Sequence, residues 1–175
     1  MHTIYTIGHS TRTIEQFIEL LKAHGIEELV DVRTIPKSRH NPQFGTEELA
    51  VSMQQVGIAY THLGKLGGLR RTSKDSVNLG WHNTSFRGFA DYMATSEFQA
   101  GLNELKALAK QKTVAIMCAE AVPWRCHRSL IADALTVHGW QVLHIQSRKT
   151  ASPHEPTPFL KVQDGKITYP EPTAS

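Results

Sequence analysis

Short unbroken apolar runs alternate along the chain with longer stretches whose apolar residues fall three and four apart. The first pattern suits strands buried on both faces and the second suits helices with one buried stripe. The segment 3–7 reads as a strand closed by Gly8, His9 and Ser10. A helix follows. Thr13 with Gln16 makes a capping box, Ile14, Phe17, Ile18 and Leu21 form the stripe, and Gly25 stands where a helix ends on a left-handed residue. Strands are predicted next at 28–32 and 57–62, with a loop at 33–45 and a helix at 47–56 between them. Helices follow at 89–94 and 96–110, the second opened by Ser96 with Gln99 as a further capping box. The run Val114, Ala115, Ile116 and Met117 is the central strand; Leu130, Ile131, Ala134 and Leu135 mark the helix after it, and 141–145 is another strand. The proline-rich tail from residue 152 ends in a hairpin, 160–162 against 167–169, turning at Asp164-Gly165.

Strands that alternate with helices imply an α/β fold, a single-domain three-layer sandwich. Its sheet is mostly parallel with about five strands, helices cover both faces, and a small C-terminal hairpin is attached. A length of 175 residues with 40% hydrophobic content suits one domain over 1–175. Within it, 63–88 is glycine-rich and basic, carries Trp81 and Phe86, and is too long for a plain connection, so it reads as a candidate lid or binding loop. Residues 151–175 form the C-terminal hairpin and tail.

A net charge of +3 with 10 histidines permits a nucleotide or nucleic-acid partner without requiring one. The opening MHTIYTIGHS has no signal-peptide form, and no apolar run approaches the roughly 20 residues of a membrane span, so a cytoplasmic protein with no membrane partner is expected. The 2 cysteines are expected as thiols, and the spacing of Cys118 and Cys126 is unlike that of structural zinc sites. Neither a metal nor another cofactor is expected; His9, His62, His127 and His144 have no ligand-set spacing.

Ligands of open α/β sheets lie outside the carboxyl ends of the strands. His9 follows the first predicted strand, Asp31 and Arg33 the second, His62 the third, Cys118 and Glu120 the fourth, and His144 the fifth. Arg125 and Arg128 stand at a helix start, where each cation is disfavoured by about 0.3–1 kcal/mol. Either a carboxylate such as Glu120 or Asp31 neutralises them, or an anion from outside does. Glu120 reads as a general acid or base, or as the salt-bridge partner of Arg125 or Arg128. Cys118 reads as a small core hydrophobe or a nucleophile, Cys126 as a helix-start thiol of lowered pKa, and Asp31 as a partner for Arg33 or Arg128. Trp81, Phe86 and Trp124 are core residues or base-stacking platforms.

Four blocks, TIGHSTR at 6–12, DVRTIPKSR at 31–39, LGGLR at 66–70 and CAEAVPWRCHRSLIA at 118–132, together resemble the bacterial and archaeal family catalogued as domain of unknown function 488. The resemblance covers nearly the whole chain, with the blocks in order. It implies that Gly8, His9, Ser10, Arg12, Asp31, Arg33, Pro36, Ser38, Arg39, Gly67, Gly68, Cys118, Glu120, Cys126, His127 and Arg128 occupy motif positions. The family has no agreed activity, so the resemblance implies positions rather than chemistry.

The leading expectation is an enzyme acting on an anionic, phosphate-bearing substrate, a nucleotide or nucleic acid, by hydrolysis or glycosidic cleavage. Glu120, His127, Cys118 and His9 are its candidate catalytic groups. Ser10, Arg12, Asp31, Arg33, Ser38, Arg39, Gly68, Arg70, Cys126 and Arg128 are its candidate anion-binding groups. The alternative is a non-catalytic nucleic-acid-binding module. Thiol chemistry of the phosphatase or sulfur-transfer kind is a third reading, weakened because AEAVPW, between Cys118 and Arg125, has no glycine to bare its amides to an oxyanion.

Overall fold

The alternation of apolar runs and stripes resolves, in a computed structural model that describes residues 2–172, into β1 (Thr3–Gly8), α1 (Ile14–Ala23), β2 (Glu28–Asp31), α2 (Thr46–Gln55) and β3 (Ala59–His62). After these come α3 (Thr84–Tyr92), α4 (Ser96–Gln111), β4 (Val114–Cys118), α5 (Arg128–Val137), β5 (Gln141–Ile145), β6 (Ala151–Pro153), β7 (Lys161–Gln163) and β8 (Lys166–Thr168). The sheet order is β3-β2-β4-β1-β5-β6, parallel except for β6, and β7 pairs β8 in a separate hairpin. Phe17 and Leu21 of α1 and Leu49 and Met53 of α2 pack on one face, with Leu29, Ala115 and Met117. Phe89 of α3, Phe98 and Leu102 of α4 and Leu130 and Ile131 of α5 pack on the other, with Val30 and Ile116. The three-layer α/β sandwich is therefore present. No helix among the described residues is long and apolar enough to cross a membrane.

Local chemistry accounts for most boundaries. Thr13 and Gln16 form the expected capping box at 3.0 and 3.1 Å, and Gly25 follows α1 at φ 67°. Asp164 (φ 53°) and Gly165 (φ 76°) both turn left-handed, as a two-residue hairpin of this twist requires.

Three details differ from expectation. The sheet of about five strands has a sixth, because β6 pairs antiparallel beside β5 where the tail reads only as proline-rich. Three residues ending in Pro153 carry no alternation, and an edge strand tolerates the missing N–H. Helix α3 begins at Thr84 rather than 89, since the Asn83 side chain accepts from the amides of Ser85 and Phe86. Helix α4 is capped by Thr95, whose hydroxyl accepts from the Phe98 amide, and not by Ser96. The segment 63–88, read as a candidate lid or binding loop, is fastened in its middle, where Thr72, Ser73, Ser76 and Asn78 all donate to the Asp91 carboxylate and Trp81 packs among Phe86, Phe159 and Tyr169, while Gly68, Leu69, Ser85 and Phe86 border a hollow. Trp81 and Phe86 are thereby packing residues, each half-buried and each bordering a hollow.

The connections place the site. From β1 the chain runs through α1 to β2 on one side, whereas from β4, the neighbour of β1, it runs through α5 to β5 on the other. The carboxyl ends of β1 and β4 are thus the topological switch point, where a crevice is expected in such sheets.

Candidate functional site

That crevice is sealed. Pairing continues past the strand ends, with the His9 amide donating to Cys118 O at 3.0 Å and the Ser10 amide, at φ 50°, to Ala119 O at 2.9 Å. The open space lies one strand over, at the carboxyl ends of β2 and β4. It is a hollow of about 340 Å³ lined by Arg33, Thr34, Ile35, Lys37, Gly68, Leu69, Phe86, Cys118, Glu120, Arg125, Cys126 and His127, among others. A larger hollow of about 500 Å³ lies beyond the 3-10 turn Pro123–Arg125, walled by Trp81, Trp124, Phe159 and three prolines of the tail. Its walls are mostly apolar; the thiols, carboxylate and cations line the smaller one.

The expected arginine rim does not form as one cluster. Arg33 is buried and paired in two places with Asp31, Nε to Oδ1 at 2.9 Å and Nη2 to Oδ2 at 2.7 Å. Asp31 therefore serves Arg33 and not Arg128. Arg70 donates to Gly64 O and Gly67 O and lies over the Tyr92 ring at 3.7 Å, away from the hollow. Arg39 is exposed outside it, and the Ser38 hydroxyl accepts from the Asn41 amide in a local turn. Arg12 donates to Gly8 O at the switch point, near Arg128, and burial together with that like charge lowers its pKa. The cations that do line the hollow are Arg33, Lys37 and Arg125. Sequence reasoning missed Lys37, whose only signal is its place in the basic loop after β2.

Arg128 is 1% exposed, and its Nη2 donates to Ala121 O at 3.1 Å. Its Nε and Nη1 have no partner, and no carboxylate lies within ion-pair distance among the described residues. Glu120 is exposed at the rim and makes neither of the salt bridges its neighbours in sequence suggested. Cys126 donates to Cys118 across 2.7 Å, and both thiols are buried in the floor.

Two of the candidate catalytic histidines are enclosed by their surroundings, although the buried Nε2 of His9 has no partner. His9 is stacked on Phe44 with ring centroids 4.4 Å apart, donates from Nδ1 to Ser10 O at 2.8 Å, and is held neutral mainly by burial. It does not line the hollow. The Nε2–H of His127 is shared between Val32 O at 2.9 Å and Leu66 O at 3.0 Å, and Gly68 packs so closely that a Cβ there would meet Nδ1 at 2.6 Å. Part of the residue faces the hollow, but its nitrogens are enclosed. Burial, with Arg128 and Arg70 adding, outweighs the two carbonyl bonds and pushes its pKa down to about 4.

A stability prediction follows. An unfolded histidine titrates near 6.5, so below that pH the unfolded chain takes up a proton that folded His127 refuses. Its contribution is full above pH 6.5 and is lost as the pH falls towards 4, by up to about 3 kcal/mol. Urea unfolding between pH 7 and 4.5 should therefore show a shallower loss of stability for His127→Asn than for the wild type; parallel slopes would refute the assignment.

The remaining candidate histidines go elsewhere. His62 bonds Arg33 O, and His144 belongs to a chain that sequence reasoning did not find. Thr6 donates to His144 at 2.5 Å, His144 to His154 at 2.9 Å, and His154 to Asp133 at 2.7 Å, each tautomer fixed by the acceptor at the Asp133 end. Burial, then His154 and Arg128, keep His144 neutral with a pKa of about 3. Among the described residues no three His, Cys, Asp or Glu side chains are grouped to hold a metal ion.

Comparison with known families decides the relationship. The profile of the family described as domain of unknown function DUF488 matches residues 13–135, more than half of the chain. The chain belongs to the DUF488 family. No curated protein and no solved structure matches it. The DUF488 match spans the β2 and β4 ends, the thiols and the whole lining of the hollow, whereas the 6–12 block with His9 and Arg12 precedes it and the His144–His154 chain follows it.

Proposed function

We propose that this DUF488 chain is a hydrolase acting on a phosphate-bearing substrate, a nucleotide or a nucleic-acid strand, bound in the hollow at the carboxyl ends of β2 and β4. The observation that supports this reading is Arg128, a buried guanidinium with two unbonded nitrogens and no carboxylate to balance it among the described residues; it does not itself line the hollow, but its charge bears on Cys118 and Cys126 in the floor. An uncompensated buried charge costs several kcal/mol, and an anion held in the hollow, across the thiol floor from it, offsets part of that cost. In the lining, Asp31 already balances Arg33, and Glu120 is one acid against Lys37 and Arg125, so the hollow keeps a positive excess before Arg128 is counted. Guanidinium forks suit phosphate oxygens. Glu120, whose carboxylate makes no hydrogen bond among the described residues, is the general base that takes a proton from attacking water. His127 holds the wall.

The test is incubation with nucleoside mono-, di- and triphosphates and with single-stranded DNA and RNA, with calorimetry for binding and chromatography for products. Glu120→Gln should lower turnover about 100-fold at unchanged affinity. Arg125→Ala should weaken binding about tenfold, the loss of one charge-assisted hydrogen bond. Binding of none of these ligands ends the proposal. Salt-sensitive binding without turnover supports the second reading, a nucleic-acid-binding module, which the 70% exposed Trp124 favours as a stacking platform.

A further inference from the structure

The chain's 2 cysteines, far enough apart in sequence to be independent, meet in the floor of the hollow. β4 delivers Cys118 at its carboxyl end, and the 3-10 turn Pro123–Arg125 brings Cys126 back over it just before α5. The sulfurs are 2.7 Å apart. A covalent S–S bond is about 2.05 Å long, so about 0.7 Å of closure separates the contact from a disulfide. The two thiols are not equivalent. Cys118 accepts the Cys126 S–H and has the Arg128 charge nearby. Burial raises its pKa, yet the Cys126 hydrogen bond and Arg128 together bring it below that of an ordinary thiol. Cys126, as donor to Cys118 and buried besides, keeps its proton well above the ordinary range. The Arg128 charge bears on both thiols and Cys118 also donates to Glu120 O at 3.6 Å, but Cys118 alone accepts a thiol proton, which makes it the better nucleophile and Cys126 the proton-bearing partner of a dithiol redox couple.

We propose that Cys118 and Cys126 form a dithiol redox centre that a hydroperoxide converts to an intramolecular disulfide. In the first step the Cys118 thiolate attacks the terminal oxygen of the peroxide; an S–O bond forms, the O–O bond breaks, and hydroxide or alkoxide leaves with the electron pair. In the second step Cys126 sulfur attacks Cys118 sulfur; the S–S bond forms, the S–O bond breaks, and the Cys126 proton leaves with the hydroxide as water. The two thiols lose two electrons and the peroxide gains them. The hollow gives the peroxide access, since both cysteines line it. The disulfide clamps the turn that carries Glu120 and Arg125, so the oxidation state of this pair acts on the same wall as the proposed substrate.

Hydrogen peroxide in small excess over the reduced, full-length protein tests this, followed by intact-mass measurement and alkylation under denaturing conditions. The expected result is loss of the mass of two hydrogen atoms and of both titratable thiols, reversed by dithiothreitol. Trypsin should then yield peptide 113–125 disulfide-linked to peptide 126–128. In Cys126→Ser the Cys118 sulfenic acid should persist and be trapped by dimedone, and in Cys118→Ser the Cys126 thiol should survive the same treatment. Two surviving thiols in the wild type, a disulfide between two copies, or Cys118 driven to sulfinic acid with Cys126 still free would each overturn the proposal. The wild-type readout stands alone if a variant does not fold, and because it is a mass it is unaffected by failure of the phosphate reading.

Discussion

Gly8→Ala is expected to cost about 3 kcal/mol of stability or more, enough to lower the folded yield visibly. An ideal Cβ on Gly8 would lie 1.8 Å from Glu120 O, 2.5 Å from Glu120 C and 2.8 Å from Ala121 Cα. All three are backbone atoms, so no rotamer change relieves the clash. The turn after β4 has to move away from β1, which breaks the bonds of the His9 and Ser10 amides to Cys118 O and Ala119 O and draws Ala121 O from Arg128. Gly64→Ala is the control: its Cβ would meet nothing nearer than His62 Cε1 at 3.6 Å, ordinary contact, and the change should stay within about 0.5 kcal/mol. Urea unfolding of the two variants side by side checks this. Equal midpoints would mean that the two strand ends are looser than described, and the sealed switch point, which displaces the hollow towards β2, would lose its cause.

How much of this was legible depends on the range over which each signal acts. The first βαβ unit reads directly because its information is local, a capping box at Thr13, a stripe from Ile14 to Leu21 and a left-handed Gly25. Thr95 and Ser96 are adjacent hydroxyls, either of which suits a cap, and only the placement of the backbone selects Thr95. Helix α3 hides its start in Thr84 and Ser85, with Gly88 just after the first turn, weak helix formers whose start is fixed by the Asn83 cap. The site follows the same rule. The sequence brings Cys118, Glu120, Arg125 and Cys126 to one strand–turn–helix junction, so their proximity was readable. The arginines were not, because a long side chain takes its partner from tertiary neighbours: Arg70 finds two carbonyls and Tyr92, Arg33 finds Asp31, and Arg128 finds no acid. The Thr6–His144–His154–Asp133 chain needs β6 beside β5 before it can exist, and β6 carries no pattern of its own.

Arg33 links the fold to the hollow, and Asp31→Ala is expected to destabilise the protein by about 3–5 kcal/mol, the cost of leaving one member of a buried ion pair without its partner. Asp31 is wholly buried. Its Oδ1 accepts from the Arg33 amide at 3.1 Å and Nε at 2.9 Å, and its Oδ2 from Arg33 Nη2 at 2.7 Å and the Tyr60 hydroxyl at 2.6 Å. Arg33 Nη2 also donates to Phe44 O and Nη1 is unbonded, so where it stands the guanidinium touches no carboxylate but Asp31 among the described residues. Without the carboxylate Arg33 has either to stay buried with its charge unbalanced or to swing into the hollow it lines. The second route raises the positive charge there, so the variant that remains folded should bind phosphate-bearing ligands more tightly than the wild type while unfolding at lower urea. Asp31→Leu combined with Arg33→Met removes both charges and should recover most of the lost stability while weakening binding. Wild-type stability in Asp31→Ala, or a double variant no better than the single, would show that the pair does not govern how Arg33 is held, and opposite shifts in stability and affinity would tie the ion pair to the charge of the hollow.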